Sequence, residues 1–370
     1  MVTIRPRRNL KRVASPSALV VGLMAAAFGA VLALRLLIPT DWDPSVFAAF
    51  GEEALPTLDY ARSRVGEVVT RPLQGHDGKF FFVQANDPFL LDPDANARVL
   101  DRPTYRSQRA LYPIIAGIGG GLPAGGVLWG LVVTNLIALG AGSAALAEYA
   151  NHMGLSRWFG LAFALNPALI SELSIDGAGI VALAFVVGGV LALVKGRVGL
   201  AMGLLAAACL TREVMLLAVA GLSTWLWLDY RRSQAVKLAV VPAVVVLSWG
   251  AYVRIRLPNG MGLAEVQEIG APFAGLFEAG QRWLDDPRFM LVGALIAVCL
   301  GLFASQLIRG RRDALAWASI GFVPMAVLLT AQVWTASFDI ARAVSPVLTA
   351  LVVNPSSVRP RNRPEQDMDA

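Results

Sequence analysis

Residues Ala18–Leu37, ALVVGLMAAAFGAVLALRLL, decide the fold class: the run carries no charge until Arg35. A helix of that length and composition spans the hydrocarbon layer of a bilayer. Arg5, Arg7, Arg8, Lys11 and Arg12 precede it. Its apolar core is too long for the h-region of a signal peptide and no small-residue cleavage site follows, so it reads as an uncleaved first span. The rest of the chain agrees. Of 370 residues 56% are hydrophobic and 16% charged, and mean hydropathy is +0.59, well beyond a soluble domain. A net charge of +6 and a pI of 9.7 would suggest nucleic acid in a soluble protein. Here the basic residues collect in short loops, as the positive-inside rule requires of cytoplasmic ones.

Further apolar runs lie near 125–148, 157–171, 176–194, 198–211, 213–229, 238–256, 288–308, 314–333 and 341–353. Several are short for a full crossing, as tilted or broken helices in a bundle are. The expected architecture is all-α: a polytopic integral membrane helix bundle of about ten spans. The N-terminal arm, Lys195/Arg197, Arg231/Arg232/Lys237, Arg309/Arg311/Arg312 and Arg359/Arg361/Arg363 are assigned to the cytoplasm, with both termini inside and an even number of crossings. Residues 1–17 then form a basic arm, 18–353 one membrane domain, and 354–370 a disordered polar tail. The largest hydrophilic piece is a first outer loop, 39–109. Residues 110–121 would break the parity if they crossed, so they are read as a re-entrant or interfacial helix ending at Gly119-Gly120-Gly121. No Lys-Ser/Thr follows those glycines, which excludes a phosphate loop.

Cys209 and Cys299 each sit inside an apolar run, which favours packing over a disulfide. His76 and His152, the only histidines, are far apart, so no His-based metal site is expected. Charges in this scheme fall on one side. Asp41, Asp43, Asp77 and Asp87 lie in the first outer loop, Glu172 and Asp176 in the next outer turn, Arg212 and Glu213 in another, and Asp339 and Arg342 before the last span. Ionisable groups at membrane depth are costly and usually face a cavity or one another. Carboxylates can act as general bases toward a hydroxyl, and arginines bind phosphate through paired N–H groups.

The stretch His76-Asp77-Gly78-Lys79-Phe80-Phe81 resembles the Trp/Tyr-Asp-Gly-x-Phe/Tyr-Tyr pattern of polytopic C-superfamily (GT-C) glycosyltransferases. Pro103-Thr104-Tyr105-Arg106-Ser107-Gln108-Arg109-Ala110-Leu111-Tyr112-Pro113 is similar to the Tyr-Arg-x-x-Arg-x-Leu-Tyr-Pro stretch of bacterial members. Asn166-Pro167 with Asp176, Leu210-Thr211-Arg212-Glu213, and Arg342 with Pro346 fit later motifs of that family. The chain departs from it in carrying His76 where an aromatic is common, and in being short.

The resemblance implies sugar transfer, with inversion, from a polyprenyl-phosphate donor to an envelope glycan or lipid acceptor. It places the reaction at the outer face of a bacterial inner membrane. An acid of the first outer loop would deprotonate the acceptor: Asp77 by position, with Asp41 and Asp43 as rivals. Glu172, Asp176, Arg212, Glu213, Arg342, Tyr105, Arg106 and Arg109 are the expected substrate contacts, Arg212 and Arg342 toward the carrier phosphate. No cofactor or metal is assigned, and a divalent cation is left open.

Plainer roles compete at each position. Asp77 before Gly78 can simply make a turn, Asp176 can cap a helix, and Arg212 with Glu213 can be a local ion pair. Tyr105, Arg106 and Arg109 can anchor to headgroups, and Phe80, Phe81 and Phe82 can anchor at the interface. The alternative function is a transporter or flippase of lipid-linked sugars, which calls for related halves and charges at mid-depth. A third reading is a non-catalytic scaffold.

Overall fold

The computed structural model describes residues 16–257, 268–284 and 287–355. Most of the basic arm, the polar tail from 356 onward, residues 258–267 and residues 285–286 lie outside the described residues. The described residues are mostly helical, and the one sheet among them is a two-stranded pair.

Among the described residues four helices are long and apolar enough to cross a membrane: Ala18–Thr40, Ala124–His152, Arg232–Arg256 and Arg288–Ile308. Four shorter apolar helices accompany them, Gly179–Val194, Val198–Thr211, Glu213–Leu228 and Ala314–Leu328. These contribute to one continuous apolar core. The protein is thus a membrane-embedded helical bundle. Apolar runs that look uniform in sequence are divided in space. Residues 157–171 are split among Arg157–Gly160, Leu161–Ala164 and Pro167–Leu173, and the last run is parted between Ser337–Ala343 and Ser345–Val352. Pro167 and Pro346 stand in the first turns of the new helices. There a missing N–H costs nothing, whereas deeper inside a helix it would break the ladder. The segment after Arg109 forms only the six-residue helix Leu111–Ala116, a rise of about 9 Å. Ile118, Gly119 and Gly120 then turn the chain with positive φ.

Helix length sets which ends meet. Gly179–Val194 has 16 residues and Val198–Thr211 has 14, so the chain travels about 24 Å out and about 21 Å back. At the far end Lys195 reaches Glu148 at 3.2 Å, and at the near end Arg212 returns to Glu172 at 3.2 Å. The 13-residue helix Leu216–Leu228 then leads away again to Arg231 and Arg232. Tyr149, next to Glu148, donates to Asp313 at 2.8 Å and fixes the Arg309–Arg312 turn to that same far end. The basic turns therefore share one end of the bundle and Glu172 lies at the other.

Arg311 differs from a loop charge. Only 2% exposed, it pairs with Asp313 at 2.6 Å and donates to the carbonyls of Ala350 and Val353 at 2.8 and 2.7 Å. It ties the end of the last described helix to the turn. Lysine cannot reproduce that planar fork. Arg311→Lys is expected to cost about 1–3 kcal/mol through carbonyls left without donors, read as a lower unfolding midpoint in detergent.

The loop 39–109 is folded rather than extended. Phe50–Gly51 pairs in parallel with Thr70–Arg71, and Leu55–Val65 packs beside Gly78–Asn86. Every residue from Gly78 to Ala85 is buried, as expected of a helix enclosed on all sides. Phe82 meets Phe50 and Tyr60 edge-on at 5.6 and 6.2 Å, and Phe81 meets Tyr112 at 5.1 Å. The triple phenylalanine is core. Interfacial anchoring is overturned because the loop folds back and covers it. Arg71 closes the loop on itself through the Val46 carbonyl at 3.0 Å and fastens it to the bundle through the Ser174 carbonyl at 2.8 Å.

Candidate functional site

Asp77 stands just before the helix Gly78–Asn86, yet its side chain caps nothing. Gly78 explains its position: a Cβ there would meet the carbonyl of Ile175 at 2.5 Å, so glycine lets this turn press against the bundle. The carboxylate faces two guanidiniums instead. Arg106 Nη1 donates to Oδ1 at 2.8 Å and Arg342 Nη2 to Oδ2 at 2.9 Å. Arg106 comes from the short helix Pro103–Ser107, opened by Pro103, and its guanidinium lies 4.0 Å from the centre of the Phe80 ring. The same guanidinium holds Asp101 by two bonds, at 2.9 and 3.0 Å.

Arg342, on the helix Ser337–Ala343, joins three acids at once. Besides Asp77 it donates to Glu172 at 2.8 Å and to Asp339 at 3.0 Å. Glu172 is 1% exposed and also accepts from Arg212 and from the Gly179 N–H at 3.0 Å. Gly177 makes room for it, since a Cβ there would fall 1.6 Å from Glu172 Oε2. Gly177→Ala is expected to push Glu172 off these donors and cost about 1–3 kcal/mol, visible as a lower thermal midpoint of the purified protein. Alongside, Arg109 grips Glu213 with two bonds at 3.2 and 3.1 Å and meets the Tyr105 hydroxyl.

Burial alone would push the Asp77 carboxyl up. Arg342, Arg106 and Arg109 reverse this and hold it far below the usual carboxylate range. Asp77 is therefore a fully ionised anion at any physiological pH and, with both guanidiniums in place, a weak base. The His76 imidazole is lowered by burial, opposed by Asp339 and reinforced by Arg342, which favours its neutral form.

A cavity of about 930 Å³ opens on this network. Asp77, Tyr105, Arg106, Arg109, Arg212, Glu213 and Arg342 all line it, and so do His76, Asp101, Arg98, Arg102 and Asp339. Glu172 lies behind the lining, holding Arg342 and Arg212 in place. Three candidates fall elsewhere. Asp41 adopts a left-handed conformation after the first span, and Asp43 accepts from the Ser45 N–H at 2.9 Å in a local turn; neither lines the cavity. Asp176 is completely buried, with the Asn135 amide as the polar side chain beside it. It is neither a cap nor a cavity contact. Arg212 and Glu213 do not pair with each other in the described ion pairs: each answers a residue from a distant segment.

Asp101 went unnoticed in the sequence. An acid just ahead of a helix opened by proline, with Arg106 a turn further on, is the signal that marks it. Among the described residues no group of His, Cys, Asp and Glu is arranged to hold a metal ion.

Fold and site together define a helical membrane protein with a charged cavity at the end of the bundle away from its basic turns. No protein-family model, curated protein or solved structure matches the chain.

Proposed function

We propose that the protein is a membrane glycosyltransferase that moves a sugar from a polyprenyl-phosphate donor to an envelope glycan or lipid acceptor. The observation that carries the reading is the meeting, in one cavity, of Asp77 with Arg106, Arg109, Arg212 and Arg342 from well-separated segments. The volume suits a sugar phosphate together with part of an acceptor. Arginines at the end of an apolar bundle can hold a lipid phosphate while its tail stays among the helices. The gathering of the basic turns at the opposite end supports, by the positive-inside rule, a cavity on the outer side and both termini inside, in what we take as a bacterial inner membrane. The broken apolar runs then complete about ten crossings.

In this reaction the acceptor oxygen attacks the anomeric carbon. The bond from that carbon to the phosphate oxygen breaks, and polyprenyl phosphate leaves with the bonding pair. Asp77 takes the acceptor's proton, and the arginines stabilise charge developing on the leaving phosphate. The test is transfer by purified protein, in detergent or liposomes, from a panel of radiolabelled polyprenyl-phosphate hexoses and pentoses to an envelope-lipid extract. Label appearing in acceptor from at least one donor supports the reading. No transfer from any donor, by protein that is folded and monodisperse, overturns it.

A further inference from the structure

Two guanidiniums facing each other across one anion make a phosphate-binding arrangement, because each offers directed N–H groups to separate oxygens. Between Arg106 and Arg342 that anion is the Asp77 carboxylate, one oxygen to each, at 2.8 and 2.9 Å. We propose that Asp77 is a resident stand-in: in the ligand-free protein its carboxylate occupies the site that a phosphate group takes on binding. The ligand's phosphate exchanges with Asp77 for these two arginines. The inference rests on the transferase reading only for what the phosphate is attached to.

The acids of the network differ in how freely they can let go. Glu172 is held by two arginines and a backbone N–H and is almost wholly enclosed, so releasing it would strand a buried charge. Glu213, 28% exposed, is held not by enclosure but by paired bonds from Nε and Nη2 along one edge of the Arg109 guanidinium. Asp77 has no described hydrogen bond to a backbone donor, caps no helix, and its side chain keeps 23% exposure toward the cavity. Asp339, 41% exposed, is the second releasable partner of Arg342. The exchangeable anions thus sit on the two arginines that face each other, and Arg342 keeps the fixed Glu172 through its Nε while its Nη groups hold Asp77 and Asp339.

Charge in the rest of the cavity favours an arriving anion. Arg98 and Arg102 line it without an ion pair among the described residues, and Lys79, whose bond to the neutral Gln74 carbonyl leaves its charge in place, makes three cations against the two acids named next. Glu53 and Glu268 are further acids on the lining, and His76 faces the same space. An incoming phosphate exchanges one anion for another at Arg106 and Arg342, so the site never holds an uncompensated guanidinium pair. Its arrival also removes the cause of Asp77's low basicity: a carboxylate that has lost its cationic partners and gained an anionic neighbour binds protons more tightly. A base that is inert in the empty site becomes competent when donor phosphate is present, which protects the site from idle proton transfer.

The test measures binding of undecaprenyl phosphate, bearing no sugar, to the purified full chain in detergent, with undecaprenol as the uncharged control. Asp77→Asn is expected to bind the phosphate about ten-fold more tightly than wild type, and Asp339→Asn about three-fold, since each removes a competitor for Arg342. Arg106→Gln is expected to weaken it at least ten-fold, and undecaprenol affinity should not move in any variant. Unchanged or weaker phosphate binding in both aspartate variants overturns the proposal. Asp339 lies at the rim, so its variant keeps the test decisive if Asp77→Asn does not fold. A parallel titration with inorganic phosphate separates the sources: tightening with undecaprenyl phosphate alone assigns a lipid headgroup, and tightening with both assigns phosphate in either form. No sugar and no acceptor enter the assay, so a failed transferase reading leaves its outcome intact.

Discussion

Asp77→Asn is expected to lower sugar transfer by about 10²–10⁴-fold, the usual contribution of a positioned general base. The amide matches the carboxylate in shape and keeps an oxygen that can accept from Arg106 or Arg342. It can neither take the acceptor's proton nor balance the guanidiniums. Because the side chain borders a solvated cavity, the unbalanced charge is partly screened and the fold is expected to survive. Initial rates at saturating donor, compared with the unfolding midpoint of the same preparation, check this. A variant that folds normally and retains the wild-type rate removes Asp77 from the chemistry. Loss of rate alongside tighter phosphate binding marks an acid that acts on the proton and not as a ligand for the donor.

Arg342→Met carries the largest expected effect on stability. Arg342 is the common partner of Asp77, Glu172 and Asp339, and Glu172 is enclosed behind it. Removing the guanidinium leaves Glu172 with Arg212, at 3.2 Å, as its one described ion-pair partner. Stranding one member of a buried pair costs about 3–5 kcal/mol. The matching change Glu172→Gln should cost less, because it removes the charge that needs solvating and keeps an oxygen for the Gly179 N–H. The double variant should recover most of the Arg342→Met loss, since the two residues are directly coupled. Thermal or denaturant unfolding of all three in detergent decides the matter. If the double variant is no more stable than Arg342→Met, the Glu172–Arg342 contact is not what holds this corner.

Legibility in the sequence followed the range of the interaction. Long apolar runs, prolines and glycines act within a few residues, and they marked the bundle and several of its breaks. Asp77, Arg212, Glu213 and Arg342 were conspicuous because charges beside apolar helices are costly and need a reason, whereas Arg106 and Arg109 were marked by the family resemblance. Asp41 and Asp43 carried the same mark and proved to serve local turns at the end of the first span. Asp176 carried it too and lies sealed in the interior, as burial cannot be read from a residue's distance to the nearest apolar run. Phe80–Phe82 looked like an interfacial belt, since nothing local says that a loop will close over its own aromatics.

What the sequence determined by itself is the helical membrane class, the gathering of basic residues in particular turns, and the roster of charges available to a site. What only the tertiary structure decided is who answers whom. Asp77 meets Arg342 across 265 positions, Glu172 meets the same arginine across 170, and Arg109 meets Glu213 across 104. Such pairings depend on how far each helix carries the chain before it turns, and on glycines such as Gly78 and Gly177 that let one segment approach another. Those are properties of packed segments, and an ion pair is specified only when both ends have been brought within a few ångströms of each other.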